Sequence, residues 1–216
     1  MEKFFKAIDS IVNEIKVVEE RRKRLAEIIK QSTISSSQFL ENELIKKVER
    51  SNLNARIAGI DSSIMQKSLH GIDILLIRAV SVIYDFENGK LKNVEYYSPS
   101  AFFEPIIFQN QFSEIDLDLA SNIVRQEKEV KIAKETIEKF RPKFLFMDGS
   151  ILPHYIPSID KDSPLYSYYK KAIDAYKSLF ESSKKFETVL AGIIEDSRAA
   201  RFCNLIAESL KLEKEF

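Results

Sequence analysis

The sequence predicts an α/β protein built on a mixed sheet: an antiparallel meander continued by parallel strands, flanked by helices and preceded by a helical arm. Three observations point there. A stretch rich in β-branched residues carries Asn88-Gly89 between two strand-like runs, and Asn-Gly is the pair that two-residue hairpins select. A long amphipathic segment follows, then KFLFMD, a short run apolar at nearly every position; such a strand is expected at the centre of a helix-covered sheet. Residues 1 to about 50, by contrast, hold no strand signal.

Each element follows from its pattern. In the arm, Phe4, Ile8, Ile11, Ile15, Val18, Leu25 and Ile29 keep the alternating four-three spacing of a heptad seam, with Arg22 at its one charged position. The polar run from Ser32 to Gln38 predicts a turn, and Phe39 to Glu49 a second helical segment. ARIAGIDSS then reads as a buried strand that ends at Asp61. GIDILLIRAVSVIYDFENGK is a long second strand closed by the Glu87–Lys90 turn, and LKNVEYYSP a third, antiparallel one. From about Leu117 to Phe140, Leu119, Ile123, Val130, Ala133, Ile137 and Phe140 line one helical face, and Arg141-Pro142 stops it. KFLFMDGS supplies the central strand, ending at Asp148. After a Pro-rich loop from Ile151 to Pro164 come a helix at about Tyr166 to Ser183, the strand ETVLAGIIE, and a helix from about Arg198 to Leu212. A meander followed by helix-alternating strands is the topology of the RNase H-like fold. The division expected is a helical arm at residues 1–54 and an RNase H-like domain at residues 55–216.

Composition narrows the function classes. There are 33 basic and 33 acidic residues, so the chain carries no net charge. That argues against a protein that simply coats nucleic acid, because phosphate contacts need a basic excess. It is compatible with an enzyme whose clustered carboxylates offset basic surface elsewhere. The single cysteine, Cys203, excludes an internal disulfide framework and a Cys-rich zinc site. No apolar run approaches the length of a membrane span, and MEKFFKAIDS has no signal-peptide core. A cytoplasmic protein without a membrane partner is expected.

The chemistry is sought at strand ends, where open α/β sheets gather their ligands. Asp61 and Asp148 stand at two such ends, each followed by small residues, Ser62-Ser63 and Gly149-Ser150, that leave room for a metal or a phosphate. Paired carboxylates suit Mg²⁺ or Mn²⁺, which prefer oxygen donors. Two such ions could activate water and stabilise the leaving oxygen of a phosphodiester. A third ligand is expected from the long helix. Glu127 and Glu129 lie on opposite flanks, each roughly 80° from its apolar face, so periodicity does not choose between them. The neighbours Asn122 and Arg125 favour Glu129, whose purely structural role would be an ion pair with Arg125 one turn away. Glu127, beside Lys131, Lys134 and Glu138, looks like solvated surface. Asp196 at the end of the last strand and His154 in the Pro-rich loop are further candidates, beside the simpler roles of helix cap and loop residue. His70, in the hairpin, is a weaker one.

Taken in order, GIDSS, RQEKE, FMDGS and LAGIIEDSR resemble the successive motifs of the NurA nuclease family, over roughly Ala55 to Leu210. The resemblance implies a homodimeric, metal-dependent DNA nuclease, Mn²⁺-using or Mg²⁺-using, active on single-stranded DNA and DNA ends, with 5'-3' exonuclease action. It also implies a hexameric HerA-type translocase as partner in DNA end resection and repair. Asp61, Glu129 and Asp148 fall on the family's acidic positions. Ser62 stands where many relatives have glycine. Members of the family usually continue beyond the point matching Phe216 with another acid and a histidine, so the resemblance is either to a member of which this chain is a C-terminally truncated piece or to a reduced member of the family. Two other readings remain: a non-catalytic subunit that binds DNA or the translocase, and another RNase H-like endonuclease.

Overall fold

In the computed structural model, residues 2–31, 49, 51–100, 102–109, 112–153, 159 and 161–194 are described. The chain divides into two compact units, one of Ser51–Glu195 and one comprising Met1–Arg50 with Asp196–Phe216. Of the latter, the described element is α1 (Glu2–Gln31). It exposes Ile8, Ile11, Ile15 and Val18 of the expected seam. The predicted helices at 39–49 and 198–212 lie outside the described residues, apart from Glu49.

The unit Ser51–Glu195 is the expected mixed sheet with helices. Among the described residues it has six strands in the order β3-β2-β1-β5-β6, with β4 paired to β2 off that path. β1 (Ala55–Leu69), β2 (Ile72–Glu87) and β3 (Lys90–Tyr97) form the antiparallel meander. The β2–β3 turn puts Asn88 at φ 52° and Gly89 at φ 74°, the doubly left-handed geometry that makes Asn-Gly the favoured pair. β5 (Phe144–Asp148) adds parallel to β1, and β6 (Val189–Ile193) parallel to β5.

Three expectations need correction. β1 does not end at Asp61: it runs on to Leu69, paired with β2 throughout. What ends there is its second partner, since β5 pairs with β1 only from Ile57 to Ile60. Second, Glu104–Phe108, read from the sequence as no element, forms β4 and pairs with the first half of β2, while β3 takes the second half. Its short, Pro-containing run gave no alternation to read. Third, β5 alternates between partly and fully buried positions. Leu145 and Met147 are in the core, whereas Phe144 and Phe146 face a side that the described residues leave partly open.

α2 (Glu114–Phe140) and α3 (Tyr166–Lys185) cover the opposite face. Ser113 caps α2 by accepting the Asp116 N–H at 3.2 Å, satisfying one of the free donors of its first turn. Arg141, left-handed at φ 53°, closes it by donating to the Ile137 carbonyl. The helix packs on two apolar clusters. Leu117, Ala120 and Val124 meet Leu75, Ile77 and Phe108 under the β1–β2 extension. Val130, Ala133 and Ile137 meet Ala58, Ile60, Leu145 and Met147 under the central strands. Each fully buried Leu, Ile or Val contributes roughly 1.5–3 kcal/mol, so these two clusters fix the helix. Glu127 and Glu129 fall at the seam between them.

Candidate functional site

Asp61 and Asp148 are the residues immediately after the last β1–β5 couple, Ile60 with Met147. The two carboxylates therefore follow adjacent positions of neighbouring parallel strands: Asp148 is the last residue of β5, whereas Asp61 lies within β1, which continues paired to β2. The turn after Asp148 is held tightly. Gly149 has φ 81°, and its N–H donates to the Ile193 carbonyl at 2.8 Å. A side chain on Gly192 would run into the Gly149 carbonyl oxygen. Asp61 accepts the Ser62 N–H at 2.7 Å. Both aspartates border a trough of about 610 Å³ whose floor includes Gly59, Val80, Val82 and Phe146.

α2 brings Glu129 to the middle of β1, at Ser62, the residue after Asp61. The Ser62 hydroxyl donates to Glu129 Oε2 at 2.6 Å. Arg125 Nη1 donates to Ser62 Oγ at 2.8 Å and to the same Glu129 oxygen at 3.0 Å. Glu129 is only 3% exposed. Burial pushes its carboxyl above the usual range; the Ser62 hydroxyl and Arg125 pull it back, and Asp148 and Asp61 push it up again. Glu129 therefore lies within electrostatic reach of both aspartates, and its desolvation outweighs an arginine in contact. The Tyr176 hydroxyl, also buried, is raised first by burial and then by Glu129.

Glu127 points elsewhere. It is 8% exposed, contrary to the solvated role expected for it, and pairs with Lys131 at 2.6 Å on a groove it shares with Lys128 and Tyr168. The structure thus separates the two glutamates that periodicity left equivalent. The ion pair between Arg125 and Glu129 is made as well, so pairing and proximity to the aspartates are not alternatives. Sequence reasoning missed Ser62 as a partner of Glu129. The signal that could have found it is a hydroxyl just after a strand-end acid, where only small size was considered. His70 sits in the β1–β2 turn at the remote tip of that hairpin. His154 and Asp196 lie outside the described residues. Tyr97, one of the aromatics near the meander's end, packs edge-on against Phe140 and donates to Glu135.

Among the described residues no three His, Cys, Asp or Glu side chains form a group that could hold a metal ion. The donor chemistry of Asp61, Glu129 and Asp148 suits a hard dication, whose charge would offset the burial that chiefly raises Glu129 and the smaller repulsion from the two aspartates. They do not close into a ligand set by themselves.

Sheet order β3-β2-β1-β5-β6, with acids where β1 and β5 part and a third on the crossing helix, defines an RNase H-like α/β protein. The NurA domain family model matches residues 55–215, and the chain belongs to that family. No curated protein sequence matches it. Among solved structures, the NurA nuclease from Sulfolobus solfataricus is 15% identical, over 88% of this chain and 61% of that one, with a TM-score of 0.48. A NurA bound to dAMP and manganese is 16% identical, over 94% of this chain and 45% of that one, with a TM-score of 0.44. The trimeric exonuclease PhoExo I from Pyrococcus horikoshii OT3 is 14% identical, over 72% and 66%, with a TM-score of 0.33. The chain spans 61% and 45% of the lengths of those two NurA chains. Among the described residues no helix is long and apolar enough to cross a membrane.

Proposed function

We propose that this chain is a metal-dependent DNA nuclease that processes single-stranded DNA and DNA ends as a 5'-3' exonuclease. The observation that supports it is the placement of Asp61 and Asp148 directly beyond the last β1–β5 couple, with Glu129 in electrostatic reach, inside the region matched by the family model. Mn²⁺ or Mg²⁺ is the cofactor in this reading; when bound, such an ion supplies nucleophile activation and charge stabilisation at a phosphodiester. Asp61, Glu129 and Asp148 serve as its ligands, with Asp196 and His154 as candidates to complete the set. Ser62 and Arg125 orient Glu129 by holding one of its oxygens. The trough beside the aspartates is where the scissile nucleotide lies, its apolar floor against base and sugar.

The domain division proposed is an arm at residues 1–54 and the nuclease domain from Ala55 onward. The apolar residues exposed along α1 support a role for the arm in homodimerisation or in docking a HerA-type translocase, in the cytoplasm. Deleting residues 1–30 should weaken self-association or translocase binding, read by sedimentation and pull-down. Both assemblies surviving unchanged would sink that role.

Asp61→Asn and Asp148→Asn should each abolish metal-dependent degradation of single-stranded DNA while preserving the circular-dichroism spectrum. Undiminished cleavage by either variant would refute the site. A second reading, a binding subunit without catalysis, is favoured by the incomplete ligand set among the described residues. Wild type that binds DNA but cleaves none with any divalent metal would establish it.

A further inference from the structure

The end of the sheet opposite the acids is basic. Lys139, Arg141 and Lys143 precede β5, and Lys184 and Lys185 precede β6; all five are exposed. The two loops are tied together, since Thr188 Oγ1 donates to the Pro142 carbonyl at 2.7 Å and the Val189 N–H to the Lys143 carbonyl at 2.9 Å. Four of the five cations lie over aromatic rings. Arg141 Cζ is 4.2 Å from the Phe186 centroid and Lys185 Nζ 5.1 Å from the same centroid. Lys143 stands 5.7 Å from that of Phe144, and Lys139 4.4 Å from that of Tyr97. Rings hold the stems while the charged heads stay in water. Among the described residues none of the five is in an ion pair. The nearby acids include Glu187, exposed beside Phe186; Glu138, paired with Lys134 at 2.9 Å and lowered in part by Lys185; Glu135, which accepts from the Tyr97 hydroxyl; and Asp85, paired with Arg56.

We infer that this basic edge binds the phosphate backbone of a nucleic-acid strand, as an anchoring surface separate from the acidic end. The inference rests on the proposed reading of the substrate as DNA. Without its metal, the end bearing Asp61, Glu129 and Asp148 repels a polyanion, and in a chain of zero net charge a segregated basic patch is where phosphates are attracted. Unpaired cations on rigid ring platforms match closely spaced phosphates better than the irregular acids of a protein surface. Phe144 to Asp148 is four residue steps, about 13 Å along the strand, a gap that only linked nucleotides can bridge.

The test is fluorescence anisotropy of labelled single-stranded oligonucleotides with the full chain under chelator, so that nothing is cleaved. Arg141→Glu/Lys143→Glu/Lys185→Glu is compared with Lys67→Glu/Lys170→Glu/Lys177→Glu, which changes net charge equally at other exposed sites. The patch variant should bind a long oligonucleotide at least about tenfold more weakly than the control, and the slope of log affinity against log salt should flatten by about 0.7 for each phosphate no longer neutralised. A mononucleotide should show no such difference. If the reversal variant fails to fold by circular dichroism, Lys143→Gln/Lys185→Gln should show the same trend at smaller amplitude. Equal affinity and slope in patch and control variants overturns the inference and leaves the nuclease reading standing; the patch would then fit an acidic protein partner. Equal losses on the mononucleotide and the long oligonucleotide overturn it too. Wild type that binds no DNA at low salt takes away the nuclease reading, and the inference with it.

Discussion

Two arginine–carboxylate pairs adjoin β1, one at its start and one beside its middle, and their carboxylates respond in opposite directions. At the start of the strand, Arg56 Nε donates to Asp85 Oδ1 at 2.6 Å and Nη2 to Oδ2 at 3.2 Å. The Asp85 carboxyl is lowered, chiefly by that hydrogen bond. Farther along, Arg125 contacts Glu129 at 3.0 Å with Ser62 adding a second bond, and the Glu129 carboxyl is nonetheless raised, chiefly by burial. The side chain of Asp85 is 30% exposed and that of Glu129 4%. Water decides the difference: an exposed carboxylate gains from its partner, while a buried one loses more hydration than one cation returns. Arg56 also donates to the Phe140 carbonyl, so its pair is a fastening for α2. The Glu129 pair is a carboxylate kept close to two others at a cost in stability, the pattern expected where charge is held ready for a ligand.

The largest effect expected from breaking this contrast is the loss of Arg125. Arg125→Leu leaves Glu129 buried with one hydroxyl partner and no cation. Destabilisation at neutral pH should be about 1–3 kcal/mol; the partial exposure of Arg125 keeps it below the roughly 3–5 kcal/mol typical of fully buried pairs. Urea unfolding measures it, and adding Glu129→Gln should restore most of the loss. A double variant no more stable than the single one would show that Arg125 acts by packing rather than by charge.

A smaller effect concerns pH. A carboxyl raised in the folded state contributes stability that is complete below its unfolded value and is lost as pH rises through its folded one. Metal-free wild type should therefore lose stability relative to Glu129→Gln as pH climbs from the acid side of the carboxylate range toward neutrality. Parallel unfolding midpoints for the two proteins across that range would contradict the raised carboxyl.

How much of the molecule is legible in its sequence depends on the range of the signal. The β2–β3 hairpin is readable because Asn88-Gly89 carries its turn geometry locally, and α2 because its apolar stripe repeats over many turns. β4 is invisible because its pairing to β2 is a long-range event that Pro105 and a short run do not announce. The extension of β1 past Asp61 is hidden for a similar reason: Ser62 and Ser63 resemble a strand's end, and only the matching length of β2 keeps them in register. Within the site, Asp61 and Asp148 stand out by their placement at apolar runs. Glu129 can be preferred over Glu127 only on its neighbours, because both flank the apolar stripe at equal angles. What separates them in space is the position of Ser62 on another element, which helical periodicity does not contain.

The smallest effect lies at the other pair. Asp85→Asn removes the charge opposite Arg56 while leaving the guanidinium bonded to the Phe140 carbonyl. Exposed pairs are worth roughly 0.2–1 kcal/mol, so the loss at neutral pH should fall in that range and shrink further with added salt. Its pH dependence runs opposite to that of Glu129. A carboxyl lowered in the folded state contributes stability present above its unfolded value and lost as pH falls through its folded one. Wild type and Asp85→Asn should accordingly converge in acid, where the wild-type carboxyl is protonated, whereas wild type and Glu129→Gln separate as pH rises. Unfolding curves at a few pH values on both variants read the two signs directly. Curves of the same sign would mean that exposure is not what distinguishes the two pairs.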